Sequence, residues 1–366
     1  MRKSAAVSVA LLLWFSAAYA QEITLVPQTG GAQITGDFLS YDGTFLRIAT
    51  QHGDLTLDYS AVVCTGAACP DGAHYVAQLR ASGAPRLAEL ILPALIEGYA
   101  RDAGLVAQRD ELGNGRVDYL LSAPQGGAGL LRFELRSTTT QDAIGDLLAN
   151  EADIALAARA LNAAELSMAR EAGFGALDHA GQVRVLAYDA LVPAVSPRQQ
   201  TREISTSALL AAFAGEITDW QELGGAPGPI HLYLGGAESG QVQAFEQNFL
   251  GQSGRALAMQ ATYIADLDAL AARVADDPAA LGLLPVGITG NAQAIEIAEE
   301  CGLRYPANMR NIKTLDYPLT FPLYLYLPRR NLHQAAQNFL GWLGSPAAER
   351  VLRRARVAGL EPVLLP

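Results

Sequence analysis

From Val76 onward, the sequence alternates between short apolar segments and longer amphipathic segments. The short segments have the length of strands, and the longer ones repeat apolar residues at helical spacing. Strands that alternate with helices predict an α/β sheet, which binds ligands at the carboxyl ends of its strands. The predicted strands are 78–81, 130–135, 152–157, 183–188 and 323–327, and the predicted helices are 87–101, 142–150, 205–213, 241–250, 267–275, 332–343 and 347–356.

The first twenty residues predict a secretory signal peptide. Arg2 and Lys3 give a positive start, 5–15 is an apolar run, and Ala18-Tyr19-Ala20 is a cleavage site of small residues. The alternative is an uncleaved membrane anchor, but the apolar run is short for a span of ~20 residues. We therefore expect a periplasmic protein released by cleavage after residue 20.

Residues 21–75 predict a separate small all-β module. Apolar and polar residues alternate there, and turns are expected at Asp42-Gly43 and His52-Gly53. This pattern indicates three or four short antiparallel strands. A module of this size has little core of its own, so it needs a disulfide or docking on the main body. Its role is expected to be structural or interactive.

Export changes the interpretation of the three cysteines. Cys64 and Cys69 lie five positions apart in CTGAAC, and an oxidising compartment favours a small-loop disulfide between them. The alternative is a pair of free or metal-binding thiols, although no second Cys pair or His pair follows at ligand spacing. Cys301 is then left over, and we expect it to be buried and inert.

The net charge excludes some classes of partner. The chain carries −11, and loss of Arg2 and Lys3 with the signal peptide leaves −13. An acidic chain without a basic run is a poor candidate for binding nucleic acid or an anionic membrane. A small anionic ligand is still compatible with this charge, because local amides and hydroxyls decide such binding.

Enzyme signatures are scarce. The five histidines are scattered without paired metal spacing, and GAESG around Ser239 has the wrong order for a nucleophile elbow. A phosphate loop ending in Gly-Lys is absent, since the lysines are Lys3 and Lys313. The sequence predicts a protein that is not an enzyme and that uses no metal or other cofactor.

Three turns rich in hydroxyl groups or glycine precede predicted helices, and each could hold an anion. They are Ser82-Gly83, the run from Ser137 through Thr138 and Thr139 to Thr140, and Ser239-Gly240. A helix start offers unpaired amides and a partial positive charge. The alternative is ordinary capping, which Ser and Thr perform in many helices. Spacing alone does not establish that the three turns converge.

The segment ISTSALLAAFAGEITDWQELGG, 204–225, resembles the substrate-binding proteins of phosphate-type ABC transporters. In that family a helix ends in Phe-x-Gly-x-Ile-x-x-Trp-x-x-Leu-Gly-Gly, and the resemblance makes Trp220 a packing residue. The resemblance covers about 76–356 and leaves the β module outside it. Further segments that agree in order are ADIALAARAL (152–161), YDALVPAVSP (188–197), IHLYLGGAESGQVQAF (230–245), DPAALGLLPVG (277–287) and YPLTFPLYLYLP (317–328).

The resemblance implies a two-lobed α/β periplasmic-binding-protein fold with two hinge crossings and a ligand in the cleft between the lobes. Lobe 1 would hold 76–189 plus 317–366, and lobe 2 would hold 190–316. The implied partners are a small anionic solute and an ABC-transporter membrane component or another envelope protein. The chain is expected to be a monomer.

The chain departs from the family pattern at the ligand-binding loops. Arg86 stands where the family has Thr, Ala158 replaces an acidic or Ser residue just before Arg159, and Gly235 replaces an Arg. Each lost charge-assisted hydrogen bond costs about 1.5–3 kcal/mol. We therefore predict a changed ligand or very weak phosphate binding, unless Arg86 or Arg159 points into the cleft instead of into water. The predicted ligand-binding residues are Ser82, Gly83, Arg86, Ser137, Thr138, Thr139, Arg159, Ser239, Gly240 and Gln241.

Two functions remain open from the sequence. The first is an exported protein that holds a small anion, phosphate-like or changed, for an ABC-type uptake system. The alternative is a scaffold or sensor of the cell envelope that kept the fold and lost phosphate binding. The added β module and the altered ligand-binding loops favour this alternative.

Overall fold

The computed structural model describes residues 22–72, 75–124, 129–299, 301–330 and 332–360. The chain divides into two compact units, Met1–Tyr75 and Val76–Pro366. The predicted signal peptide lies outside the described residues. Within them, every helix is too short or too polar to cross a bilayer.

The first unit is one antiparallel sheet in the order β4-β3-β2-β1-β5. The predicted turns at Asp42-Gly43 and His52-Gly53 are confirmed, since they join β2 to β3 and β3 to β4. The sheet has five strands, where three or four were expected. Its strands are β1 Glu22–Pro27, β2 Ile34–Tyr41, β3 Phe45–Thr50, β4 Gly53–Asp58 and β5 Val62–Thr65, with a 3₁₀ turn at Tyr59–Ala61 before β5.

The core of this sheet is small and is closed by the predicted disulfide. Cys64 and Cys69 are joined and pack against the buried apolar side chains of the sheet. These side chains belong to Ile23, Leu25, Leu46, Ile48 and Val62. The expectation for the third cysteine was wrong: Cys301, in the second unit, is exposed because it lies in a surface turn.

The second unit is built on an eleven-stranded mixed sheet. Ten strands follow the order β14-β13-β15-β11-β19-β10-β6-β9-β8-β7, and β16 pairs with β11. The strands are β6 Ala77–Gly83, β7 Val106–Gly113, β8 Arg116–Ser122, β9 Gly129–Ser137, β10 Ile154–Ala157, β11 Val183–Val195, β13 His231–Leu234, β14 Thr262–Tyr263, β15 Ala280–Pro285, β16 Gln293–Ala294 and β19 Thr320–Tyr326. A separate small sheet consists of β12 Glu203–Ile204, β17 Glu296–Ala298 and β18 Arg304–Tyr305.

The helices predicted for this unit are present with small shifts of their ends. Two of them contain a π-helical turn: Arg86–Ile91 leads directly into α1, and α5 continues into Glu246–Leu250. Such turns occur frequently at functional sites. The helices are α1 Leu92–Asp102, α2 Thr140–Leu148, α3 Ala163–Glu171, α4 Thr206–Phe213, α5 Gly240–Phe245, α6 Leu267–Asp276, α7 Met309–Lys313, α8 Gln334–Trp342 and α9 Pro346–Arg354; short 3₁₀ turns lie at Trp220–Leu223 and Gly251–Ser253.

The long strand β11 divides this unit into two lobes. Residues 183–190 pair with β19, beyond which lie β10, β6, β9, β8 and β7. Residues 191–195 pair with β15, beyond which lie β13 and β14. β11 therefore runs from one lobe into the other, and β19 is its antiparallel neighbour at the crossing. The expected α/β fold with two lobes is confirmed.

Trp220 has the packing role expected of it. Its side chain is 2% exposed, and its indole N–H donates to the carbonyl of Ala279 at 3.0 Å. Burial of an aromatic ring with its polar atom satisfied stabilises a core. Trp220 is thus part of the interior of the second lobe, away from the ligand site described next.

Candidate ligand site between the lobes

A small cavity of about 70 Å³ lies between the two lobes. This volume has room for several water-sized particles and no large ligand. Its walls are mainly apolar, and its polar side chains are Arg86, Ser239 and Gln241. The lining residues are Ala84, Pro85, Arg86, Leu87, Ala158 and Leu323 from the first lobe, and Gly236, Ser239, Gly240, Gln241, Ala265 and Leu267 from the second.

Three helix starts meet around this cavity. They are the π-helical turn that begins at Arg86, α2 at Thr140 and α5 at Gly240. A Cβ placed on Gly240 would lie 2.5 Å from the Cβ of Ala158 and 3.1 Å from Thr140 Oγ1. The lobes are therefore closed directly upon each other at this point. A helix start carries a partial positive charge; the starts at Arg86 and Gly240 line the cavity, whereas α2 lies behind Gly240.

Ser239 is the N-cap of α5. Its Oγ accepts a hydrogen bond from the backbone N–H of Val242 at 3.3 Å. The capping function that the sequence allowed is therefore present, and the same residue also lines the cavity. Capping and ligand contact are compatible here, because one hydroxyl can accept from the helix and donate into the cleft.

Arg86 points into the cleft and pairs with a buried carboxylate. Its Nε lies 2.5 Å from Oδ2 of Asp189, on the crossing strand β11, and both side chains are almost fully buried. Its Nη2 reaches Oδ1 of Asp189 at 3.4 Å and the carbonyl of Val286, beyond β15 in the second lobe, at 3.5 Å. Burial raises the pKa of the Asp189 carboxyl, and the neighbouring guanidinium opposes this only in part.

Three polar atoms around this pair lack a hydrogen bond of normal geometry. They are Nε of Arg86, Oδ2 of Asp189 and Nε2 of Gln241, all buried. The Gln241 side chain lies beside the Asp189 carboxylate, although its Nε2 is not aligned for a hydrogen bond. Buried polar groups are nearly always satisfied in folded proteins. Arg86 Nε and Asp189 Oδ2 face each other as an ion pair without an aligned hydrogen bond, so Nε2 of Gln241 is the donor of this cluster that has no partner.

Arg159 is also buried, but it is fully engaged elsewhere. Nη1 and Nη2 donate to the two carboxylate oxygens of Glu165 at 2.8 and 2.7 Å. Its Nε donates to Oε1 of Gln243, on α5 of the other lobe, at 3.0 Å. Burial alone would raise the pKa of Glu165, but hydrogen bonds from Arg159 and from the N–H of Asn162 hold it below its usual range. Arg159 does not line the cavity and instead fastens one lobe to the other.

The remaining predicted residues do not line the cavity. Ser82 lines a different groove of about 400 Å³ beside β8 and β9, and Thr138 lines the groove next to it. There Ser82 Oγ donates to a carboxylate oxygen of Asp146 at 2.5 Å and lies 3.0 Å from Thr138 Oγ1. Ser137 lies at the same place, and Thr139 caps α2. Of the three predicted turns, only Ser239-Gly240 lines the cavity.

Gly83 has a packing reason for its identity. Its φ is +152°, and a Cβ there would come within 2.0 Å of the carbonyl oxygen of Leu156 on β10. Only glycine permits strands β6 and β10 to approach this closely just before the Arg86 turn. The residue shapes the wall of the site without offering a side chain to it.

Asp189 and Thr140 are the residues of this site that the sequence-based set lacks. Thr140 is completely buried, and its Oγ1 accepts from the N–H of Ala158 at 3.3 Å. Asp189 had a recognisable signal, since it is the one charged residue in the apolar run LAYDALVPAV. A carboxylate within a buried strand requires a charged or hydrogen-bonding partner, and that partner is Arg86.

Residues 70–347 match the sequence model of the PBP superfamily domain. The match covers most of the chain, so the chain belongs to the PBP superfamily. The family resemblance and the two-lobed periplasmic-binding-protein fold predicted from the sequence are both confirmed. The comparison with curated proteins gave no match.

Solved structures of binding proteins share the fold. A phosphate transport receptor of the ABC type from Vibrio cholerae has a TM-score of 0.56 at 19% identity, covering 76% of this chain and 99% of its own. A putative phosphate ABC transporter substrate-binding protein from Clostridium perfringens, with bound phosphate, has 0.57 at 16%, covering 78% and 100%. At such identity the likeness concerns the fold.

Proposed function

We propose that the chain is an exported solute-binding protein that holds a small oxyanion in its inter-lobe cavity. The observation that carries this proposal is the pair of buried donors at the cavity, Arg86 and Gln241, together with the two helix starts that line it, at Arg86 and at Gly240. An oxyanion would accept from all of them at once. The small size of the cavity favours an inorganic oxyanion over bulky ligands.

The proposed role is delivery of this anion to an ABC-type membrane component from the periplasm. It draws on the predicted signal peptide and on the relatives, which include a phosphate transport receptor. The alternative of an envelope scaffold without a ligand is not favoured, because such a protein would have no need of unsatisfied donors around a cavity.

Phosphate itself is expected to bind weakly at neutral pH. The positive charge of Arg86 is already neutralised by Asp189, and Arg159 is committed to Glu165. Positions 158 and 235 supply only an Ala and a Gly. Neither arginine therefore replaces the charge-assisted hydrogen bonds that the family pattern provides. Each hydrogen bond that is lost lowers the affinity for phosphate by about one to two decades.

Thermal melting of the mature protein, residues 21–366, tests the proposal. The panel contains millimolar phosphate, sulfate, pyrophosphate, phosphonates, and di- and tricarboxylates. A ligand at a hundred times its dissociation constant adds about 2.7 kcal/mol of stability. We expect stabilisation by the small inorganic anions and none by tricarboxylates, which the cavity does not accommodate.

Arg86→Gln provides the decisive variant, and Arg116→Gln is its control. Arg116 lies in the other groove, beside Ser137 and Thr138. The anion-induced shift should disappear in Arg86→Gln and persist in Arg116→Gln. A melting shift that persists in Arg86→Gln and disappears in Arg116→Gln would place the anion site in that groove. No melting shift with any anion would refute the proposed function.

A further inference from the structure

The charged residue that lines the cavity already has an anionic partner, supplied by the chain itself. The Asp189 carboxylate lies behind the cavity wall and contacts Arg86, the guanidinium that a bound oxyanion would also need. Among the residues that line the cavity, Arg86 carries the one full charge, and it is matched by Asp189. The buried site is therefore electrically neutral before any solute enters.

The two partners differ in their freedom to move. Asp189 lies in the middle of β11, where it pairs with Phe321 of β19, and its own Oδ1 accepts from the N–H of Ala190 at 2.9 Å. Arg86 stands on the first residue of a helical turn, on a long side chain. When a solute anion reaches Arg86, the carboxylate of Asp189 consequently stays where it is.

A second anion in this place would leave a net negative charge in a buried site. Two like charges within a few ångströms repel strongly where water is excluded, and proteins respond by protonating one of them. Around Asp189 the neighbouring elements offer Arg86, the Gln241 amide and the N–H of Ala190, and Arg86 is the charged side chain that pairs with it. A further cation that could compensate a second anion is lacking among these neighbours.

We propose that Asp189 is an internal competitor for Arg86, and that the cleft binds its oxyanion together with one proton. The inference rests on the proposed function and specifies its chemistry. The proton adds to Oδ2 of Asp189, the oxygen that faces Arg86 Nε and has no aligned hydrogen bond in the closed form. The resulting O–H donates to the bound anion, while Arg86 and Gln241 turn their N–H groups to the same ligand.

Burial already prepares Asp189 for this step. The pKa of its carboxyl is raised in the folded chain, which lowers the free-energy cost of adding a proton. The geometry, a strand-borne carboxylate paired with the one charged side chain that lines the cavity, is the basis of the inference. Anion affinity should consequently rise as the pH falls.

The test uses sulfate, because its own charge is constant between about pH 5 and about pH 8. Its dissociation constant is measured by calorimetry across this range for the mature wild type and for Asp189→Asn. The wild type should bind more tightly at lower pH, by up to about tenfold per pH unit, and should take up about one proton per sulfate. Asp189→Asn should bind at least about tenfold more tightly near pH 8 and show no such pH dependence.

Controls separate this inference from the proposed function. Asp277→Asn, a paired carboxylate of the second lobe outside the cavity, should retain the wild-type profile. Asp189→Ser serves as a second variant in case the Asn variant misfolds, and the wild-type titration needs no variant. Sulfate binding that is independent of pH and unchanged in Asp189→Asn would overturn the inference and leave the proposed function intact. Failure of every anion in the panel, at every pH and in every variant, would refute both.

Discussion

Two buried arginine–carboxylate pairs lie close to the cleft, and they differ in almost every respect except burial. Arg159 and Glu165 form two short, parallel hydrogen bonds at 2.7 and 2.8 Å, and their side chains are 3% and 4% exposed. Arg86 and Asp189, at 7% and 1%, touch without an aligned hydrogen bond between the closest atoms. The pKa of Glu165 is lowered, whereas that of Asp189 is raised.

The difference reflects how far apart in the sequence the two partners of each pair lie. Glu165 lies six positions after Arg159 and also closes the capping box of α3 with Asn162. Asp189 lies 103 positions from Arg86 and meets it only where the crossing strand passes the cleft. The first pair is a local structural element, and the second is a contact between parts that a ligand can rearrange. In this protein, buried polar atoms without an aligned hydrogen bond therefore indicate the ligand site better than the presence of a buried arginine does.

Removal of Arg159 should have the largest effect. In Arg159→Leu the Glu165 carboxylate stays buried without its partner, so we expect a loss of about 3–5 kcal/mol in the free energy of unfolding. Urea denaturation measures this loss. Arg109→Leu, which removes an exposed pair with Glu111, should cost no more than about 1 kcal/mol. A loss below about 1 kcal/mol in Arg159→Leu would remove the contrast between the two pairs.

The two carboxylates should give stability opposite dependences on pH. Since the pKa of Glu165 is lowered by folding, its contribution is present above the unfolded pKa and is lost as pH falls through the folded value. Since the pKa of Asp189 is raised, its contribution is present below the unfolded pKa and is lost as pH rises through the folded value. Each slope can reach about 1.4 kcal/mol per pH unit.

Denaturation at a series of pH values in Glu165→Gln and Asp189→Asn separates these contributions. Glu165→Gln should remove a component that increases with pH, and Asp189→Asn should remove one that decreases with pH. Slopes of the same sign for the two variants would contradict the assignment.

Closure of the lobes depends on the absence of a side chain at Gly240. A methyl group there would lie 2.5 Å from the Cβ of Ala158, so Gly240→Ala should disfavour the closed form by about 1–3 kcal/mol. Small-angle scattering should show a larger radius of gyration, and sulfate affinity should fall by about tenfold or more. Gly145→Ala, in α2 with free space around it, is the matched control. Unchanged scattering and affinity in Gly240→Ala would refute the described closure.

The smallest effect is expected at the bond that joins the lobes. Gln243 accepts from Arg159 Nε at 3.0 Å, and Gln243→Ala removes this bond while the pair with Glu165 persists. The closed form should lose about 1 kcal/mol, seen as a decrease of several-fold in sulfate affinity. Gln247→Ala, on the exposed side of the same helical segment, should not change the affinity. Equal effects in both variants would show that Gln243 has no specific role in closure.

Much of the fold could be predicted because its longer strands and helices carry clear periodicity, yet several elements were missed, among them the helices α3 and α7, the strands β13 and β15, and one hairpin. Strands β7 and β8 are joined at Asn114-Gly115, a dipeptide typical of tight hairpins. The signal was present, but β7 has the sequence VAQRDELG and is mostly exposed. A strand without a buried face lacks the alternation on which the prediction depends.

The candidate site was only partly predictable, for a geometric reason. Ser82 and Thr138 belong to the expected turns, but the direction of a strand residue depends on which face of the sheet it occupies. Sequence spacing identifies the turn and does not establish which hydroxyl faces the cleft. Asp189 could be recognised as unusual in its strand, although its partner became known only through the pairing of β11 with β19 and β15.

The π-helical turn at Arg86–Ile91 has a consequence for which side chains share a face of its helix. A π-turn closes its hydrogen bonds from residue i to i+5, so it holds one residue more than an α-turn. Side chains before and after it are therefore rotated relative to the positions that 3.6 residues per turn would give. The same holds at Glu246–Leu250, after the start of α5. In both helices that frame the cavity, the residues that face the cleft cannot be found by extending the apolar periodicity of the rest of the helix.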